Sequence, residues 1–471
     1  MKGPMMQTPL ETLVDFLMSL RNGEVPDSVA GQARLCLLDT VGCMIGGANT
    51  PEATQLEKAE KSVNPGEICS VAGRGRHSLL GAARINAYQG DIHELNDLIA
   101  GHASIGNVAA ALALGQARGV SGAMLQGALV AGIEATSRVY NAFYAHQKPL
   151  EEVGIVSVGM SSTIGAAAAC AHLLGLSREA TGHALAIAAG WANWCPAEVI
   201  FGKGGTAKPM LFGALPACTA ISAALSAEEG MSGPLDILTS NKGFFATIAT
   251  EWDRTAFCPD DWALNTPRRK LHACCGYIHS SYEAAQQLVA DGALHPEDIV
   301  SVRIEVPGYI IPAVSKSGAP TTPNEARFHL QFMLAQAFAG GGPVTPAMSD
   351  GFAATLERNE IRGLLHRFEV VGAADLSHYH QSRVIVVTVR GEKLVQANDA
   401  PRGTPRNPLS DTEVVAKYRR LASPVLGPEQ TARLEAAFHA LDQIEDVNTL
   451  CVMIEEPKAL NATVPSFAKA R

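Results

Sequence analysis

The sequence is poor in charge. Asp, Glu, Lys and Arg make up 18% of its 471 residues, and the 37 Lys plus Arg are outnumbered by 46 acids. A net charge of -9 offers no basic face from which to release counterions, so nucleic acid is not an expected partner. Aromatic residues are also scarce, at 6%. No apolar run reaches twenty residues. The stretches 155–177, 180–197 and 209–226 hold no acid, Lys or Arg, but each is broken by Gly, Ser, Thr, His or Pro. They read as buried core helices, and no membrane association is expected. The first twenty residues lack an apolar h-region with a small-residue cleavage site, and they lack the Arg-rich pattern of a transit peptide. The expected location is therefore the cytoplasm. No CxxC is present, and the ten Cys are scattered through apolar segments, which suits buried free thiols and not a disulfide framework or a structural zinc site. GxSxG and HExxH are absent, which leaves a serine hydrolase or zinc protease unsupported. The stretch 202–208 resembles a phosphate loop only superficially. It lacks the four-residue spacer, and no Ser or Thr follows its Lys.

What is present is apolar and small: 47% hydrophobic residues, 44 Gly and abundant Ala, a composition that lets helices approach closely. Thr8, Pro9 and Glu11 have the form of a capping box. Pro26, Asp27 and Ser28 are a second helix start, and apolar positions at helical spacing continue over 106–118, 121–140, 163–174 and 178–191. The pattern changes near residue 267. Segments 299–306, 368–371 and 383–390 are β-branched and strand-like, with helical patterns at 280–294 and 326–339 among them. Helical patterns return at 411–422 and 428–440. The expected fold is a mainly α-helical domain of residues 1–267 and 403–471, plus a smaller α+β domain of residues 268–402.

Three segments are dense in chemistry. The first, 90–102, carries Asp91, His93, Glu94, Asn96, Asp97 and His102 just before an apolar helix. It reads either as a catalytic loop on a rigid scaffold or as an exposed acidic cap. The second holds Lys203 and Lys208. Lys208 enters an apolar helix, where the dipole already favours anions, and reads either as an anchor for a substrate carboxylate or as a solvated surface lysine. As a surface residue it would contribute little to stability. The third, 268–279, runs Arg268, Arg269, Lys270, Leu271, His272, Ala273, Cys274, Cys275, Gly276, Tyr277, Ile278, His279 across the expected domain boundary. It is either part of an interdomain ligand site or a basic linker.

These segments carry a resemblance. GNVAAALALGQARGVSGAMLQGALVAGIEATSRV, GAAAACAHLLGLS, AKPMLFGALPACTAISAALSAEEGMSGP, KLHACCGYIH, PNEARFHLQFMLAQAFAGG and GTPRNPLSDTEVVAKY occur in the order seen in the MmgE/PrpD family. That family includes 2-methylcitrate dehydratases, cis-aconitate decarboxylases and iminodisuccinate epimerase. The resemblance spans nearly the whole chain. It implies a helical domain with a smaller lid, a homodimer, an active site between the domains and no organic cofactor or metal. It implies catalytic roles for His102, Lys208, His279 and Asp97. It implies substrate contacts from Glu94, Asn96, Lys208, Lys270, Cys275 and Tyr277. The sequence departs from the family at Gly154-Ile155-Val156-Ser157-Val158, where Val156 replaces a histidine, and at Phe332, which stands where some decarboxylases have tyrosine.

Two His and one Lys suit proton transfer next to a carboxylate. A shared carbanion-like intermediate leads to a dehydratase, a decarboxylase or an epimerase. The expectation is a lyase acting on a small di- or tricarboxylate. A two-base epimerase using His102 and His279 is the alternative, and a non-catalytic binding protein is the rival of another class.

Overall fold

The structure is a computed structural model that describes residues 7–23, 25–202, 206–290, 292 and 294–455. Lys203, in the second chemistry-bearing segment, lies outside the described residues. The chain is mostly helical, with a helical body and a smaller α+β unit set against it.

The body is organised around the helix Val158–Leu173, of which nearly every residue is buried. It packs against Ala103–Arg118, Gly122–Phe143, Arg178–Gly190 and Leu215–Glu228. Small side chains permit this crowding. A Cβ at Gly165 would overlap Thr136 Oγ1 and the Gly132 carbonyl, and one at Gly132 would overlap Asn107 Oδ1. Helix starts follow the sequence signals. Thr8 and Glu11 form their reciprocal capping box, and Ser121 and Ser177 cap the helices that follow them. The stretch Met210–Glu228 is long and apolar enough to cross a membrane by length and composition, but two-thirds of its most apolar window is buried among the other helices.

The α+β unit carries a mixed four-stranded sheet. A two-residue ladder in the body, β1 (Cys69–Ser70) with β2 (Arg76–His77), precedes it in the chain. The sheet itself comprises β3 (Ile299–Val306), β4 (Phe368–Gly372), β5 (Ser382–Thr388) and β6 (Lys393–Asn398), in the order β4-β3-β5-β6. β3 pairs parallel with β4 and antiparallel with β5, while β6 extends the antiparallel edge. The helix His279–Val289 packs on β5 and β6 and against the helix Leu330–Phe338. β6 has no clear sequence signal because neither face is fully buried: its side chains alternate between exposed and half-buried. The expected helix 326–339 is interrupted at Phe328 and His329, and the His329 ring accepts from the Phe332 N–H at 3.2 Å to start a new helix.

The C-terminal helix Asp411–Leu426 lies on Asp27–Gly46, with Gly42 beneath Tyr418 and Gly46 beneath Leu421. Where the chain leaves the body and where it returns, the two passages are adjacent: the Arg269 N–H donates to the Gly403 carbonyl at 2.9 Å. Gly403 has φ +88, and a Cβ there would strike the Arg269 carbonyl.

The close helix packing predicts that Gly165→Ala lowers unfolding free energy by about 1–3 kcal/mol through overpacking. Chemical denaturation checks this. A change within about 0.5 kcal/mol would mean that the two helices yield to an added methyl.

Candidate active site

The 90–102 segment is buried, so it is not an exposed acidic cap. Asp91 ends the helix Leu79–Asp91 with no exposed surface. Its Oδ2 meets Lys208 Nζ at 2.8 Å, and its Oδ1 accepts from Asn96 Nδ2 at 2.5 Å. Lys208 also pairs with Glu94 Oε1, whose other oxygen meets Lys270 Nζ at 2.7 Å. Two lysines and two carboxylates thus form one buried chain. Glu94 adopts φ +53, an unusual conformation for a non-glycine residue, which is held by its two cationic partners. Burial alone would raise the Asp91 pKa, but the adjacent Lys208 holds it below the ordinary carboxylate value. Burial lowers Lys208 to about 8.

Lys208 is therefore not the surface residue its sequence context suggested, being 1% exposed. Nor does it open a regular helix. Residues Met210–Ala214 form a π-helical turn before Leu215–Glu228. Pro216 has no N–H to donate to the Phe212 carbonyl four residues back, so the regular ladder cannot close there. Ser162 Oγ approaches that carbonyl instead, at 3.5 Å. The turn sets the Phe212 ring 4.5 Å from Lys208 Nζ and 5.1 Å from the His102 ring.

His102 occupies the position before the helix Ala103–Arg118. Its Nδ1 is hydrogen-bonded to Asn96 Oδ1. The Asn96 amide nitrogen faces two acceptors, Asp91 Oδ1 and the Gly90 carbonyl. Its oxygen must therefore face the histidine, where it accepts from Nδ1–H. That arrangement leaves Nε2 unprotonated. Burial, with a contribution from Lys270, lowers the His102 pKa to about 3, so the ring is neutral at physiological pH.

His102 lines a cleft between the body and the α+β unit, together with Glu94, Arg268, Cys275 and Tyr277. Lys208 and Lys270 sit behind Glu94. Asp97 also lies behind the cleft, where its Oδ1 accepts from the Ile99 N–H at 3.3 Å. Burial, reinforced by Asp39, pushes its pKa to about 6. His279 is a correction to the expected set. It is not among the cleft-lining residues, because its ring turns back to the Cys274 carbonyl at 3.3 Å and stands 5.1 Å from the His272 ring. Phe332 lies fully buried in the core of the α+β unit and does not line the cleft either, whereas Val156 does.

Several lining residues escaped sequence reasoning. Tyr140 and Tyr144, stacked at 4.5 Å, come from the end of Gly122–Phe143 and the turn after it, and their i,i+4 spacing on one helical face was the available signal. Tyr379 arrives from the loop before β5 and accepts from Arg268 Nη1 at 2.5 Å. Asp91 was visible only as one acid among three. Among the described residues, no group of three His, Cys, Asp or Glu is arranged to hold a metal ion.

Two outcomes follow. Lys208→Ala leaves Asp91 buried without its cation and should destabilise by about 3–5 kcal/mol; a thermal scan showing an unchanged midpoint would contradict the buried pair. For Asp97, the folded pKa near 6 exceeds an unfolded value of about 3.9. A raised carboxyl is protonated in both states below pH 4, and stability falls as pH rises from about 4 to 6. Asp97→Asn should thus gain on the order of 2–3 kcal/mol relative to the parent between pH 4 and pH 7, measured by denaturation at both values. A pH-independent difference would place the ionisation of Asp97 at its ordinary value.

Comparison with known proteins agrees with this architecture. The MmgE/PrpD N-terminal domain matches residues 11–255, and the MmgE/PrpD C-terminal domain matches residues 272–443. A cis-aconitate decarboxylase-like protein, oryM, of Aspergillus oryzae is 26% identical, with 94% of this chain and 96% of that protein covered. The cis-aconitate decarboxylase of Aspergillus terreus is 23% identical, covering 93% and 94%. The Homo sapiens cis-aconitate decarboxylase is 25% identical, covering 96% of each. With both domains matched in order along most of its length, this chain belongs to the MmgE/PrpD family.

Proposed function

We propose that this protein is a lyase that moves a proton at a carbon next to a substrate carboxylate and releases carbon dioxide or water from the adjoining position. The observation that carries the reading is the Asp91–Asn96–His102 chain, which presents an unprotonated Nε2 to a cleft while fixing the ring from behind. A neutral imidazole so held can accept a proton, and its conjugate acid can return it. A bound carboxylate raises the imidazole's proton affinity by charge proximity, offsetting the burial that disfavours imidazolium. Relatives named as decarboxylases favour carbon dioxide over water as the group released. In that case the electrons of the broken C–C bond pass into the adjoining unsaturated system, and His102, which takes a proton from water at Nε2 once the substrate carboxylate is bound, delivers it to complete the product.

Arg268 is the candidate carboxylate anchor. Its guanidinium lines the cleft, bonds to the Tyr379 hydroxyl and has no carboxylate partner among the described residues. The two-base isomerase is less well supported, since it needs a second proton carrier facing His102. With His279 turned away, the neighbouring groups are tyrosines such as Tyr140 and Tyr277, which burial makes weaker acids.

The test is incubation with unsaturated and hydroxylated carboxylates in D2O, followed by NMR. Release of carbon dioxide with deuterium in the product, or of water with formation of an alkene, supports the lyase, and His102→Asn should slow it by about 10²–10⁴-fold. Deuterium at a retained carbon without loss of mass would establish an isomerase. No turnover or exchange with any acid that binds would point to a non-catalytic binding protein.

A further inference from the structure

The lining of the cleft identifies the kind of acid it takes. Among the described residues, the cleft has one lining cation, Arg268, a compensated ion cluster behind it and a large apolar wall. Lys208 and Lys270 are matched by Asp91 and Glu94, so these four groups contribute no net charge. His102 is neutral. Arg268 supplies the one uncompensated charge among these groups. A tricarboxylate would bring three negative charges against the single lining cation, and burying unpaired charge is strongly unfavourable.

The remaining surface is built for hydrocarbon. Val156, Val158, Ile200, Phe201 and Phe328 line the cleft, and the Phe201 and Phe328 rings stand edge to face, 6.1 Å apart. Water left against such a wall is displaced favourably by an apolar group.

We infer that the site takes an amphipathic carboxylic acid: a carboxylate on Arg268, the reacting carbon at His102, and an alkyl or aryl substituent against the wall around Val156 and Phe201. This rests on the lyase reading for the position of the reacting carbon, but its binding test does not depend on turnover.

The probes are three saturated, unreactive acids: succinate, tricarballylate and 2-hexylsuccinate. Affinities are measured calorimetrically on the full chain. Each buried methylene contributes about a fourfold gain, so 2-hexylsuccinate should bind at least about tenfold more tightly than succinate and more tightly than tricarballylate. Arg268→Gln should weaken succinate and 2-hexylsuccinate alike, by about 10- to 150-fold. Val156→Ser and Phe201→Ser alter half-buried side chains and should erase the hexyl advantage while leaving succinate affinity near that of the parent. If tricarballylate binds most tightly, or if the hexyl chain brings no gain, the inference is overturned. The D2O experiment with His102→Asn tests the lyase reading separately, because it follows proton transfer and not affinity for the tail.

Discussion

The geometry of the site depends on one buried ion chain, Asp91–Lys208–Glu94–Lys270. It joins a helix end, the approach to a π-helical turn and the irregular segment that leaves the body. Buried ion pairs are poor evidence of net stability, because desolvation opposes attraction. Here the effect is geometric. Lys208 holds the Asp91 carboxylate in place, Asp91 orients the Asn96 amide, and the amide settles which nitrogen of His102 carries the proton. The tautomer of the proposed base is thus controlled by a lysine that does not reach the cleft. The same chain holds Glu94 in its unusual backbone conformation, which lets the segment turn sharply enough to bring both Glu94 and His102 to one wall.

The surrounding body is rigid for reasons of composition. Gly and Ala at the helix crossings allow backbone-to-backbone approach, and the small side chains have few rotamers to change. Four of the eight tyrosines, Tyr140, Tyr144, Tyr277 and Tyr379, line the cleft. Flexible chemistry on a stiff frame is a familiar division of labour in enzymes. The α+β unit adds what the body lacks, a wall carrying Cys275, Tyr277, Phe328 and Tyr379.

The sequence conveyed the layout well where local physics decides it. Thr8 caps the helix it was expected to cap, and β3 occupies the range its alternation indicated. His102 was legible because it precedes an apolar helix. Side-chain direction was not legible. His279 opens the helix His279–Val289, but a single turn of backbone decides whether its ring meets the cleft or the Cys274 carbonyl, and it meets the carbonyl. Lys208 looked exposed because its burial depends on Asp91 and Glu94, more than a hundred residues away in the chain. Tyr140, Tyr144 and Tyr379 converge from separate elements, a long-range coincidence with no local signature. β6 went unread because an edge strand has no buried face to impose alternation.

The paired passages between body and α+β unit carry a mechanical consequence. The outgoing strand at Arg269 and the returning strand at Gly403 are laced together by a backbone hydrogen bond, and the Arg402 N–H is held by Glu283 at 2.9 Å from within the smaller unit. A body hung from two adjoined straps cannot twist about either of them. It retains one soft degree of freedom, a flap about the line through both attachments. Arg268 sits beside that line, whereas Phe328 sits out on the moving arm. Any opening therefore leaves the charged end of the cleft nearly stationary and draws Phe328 away from Val156, Val158, Ile200 and Phe201, which stay with the body.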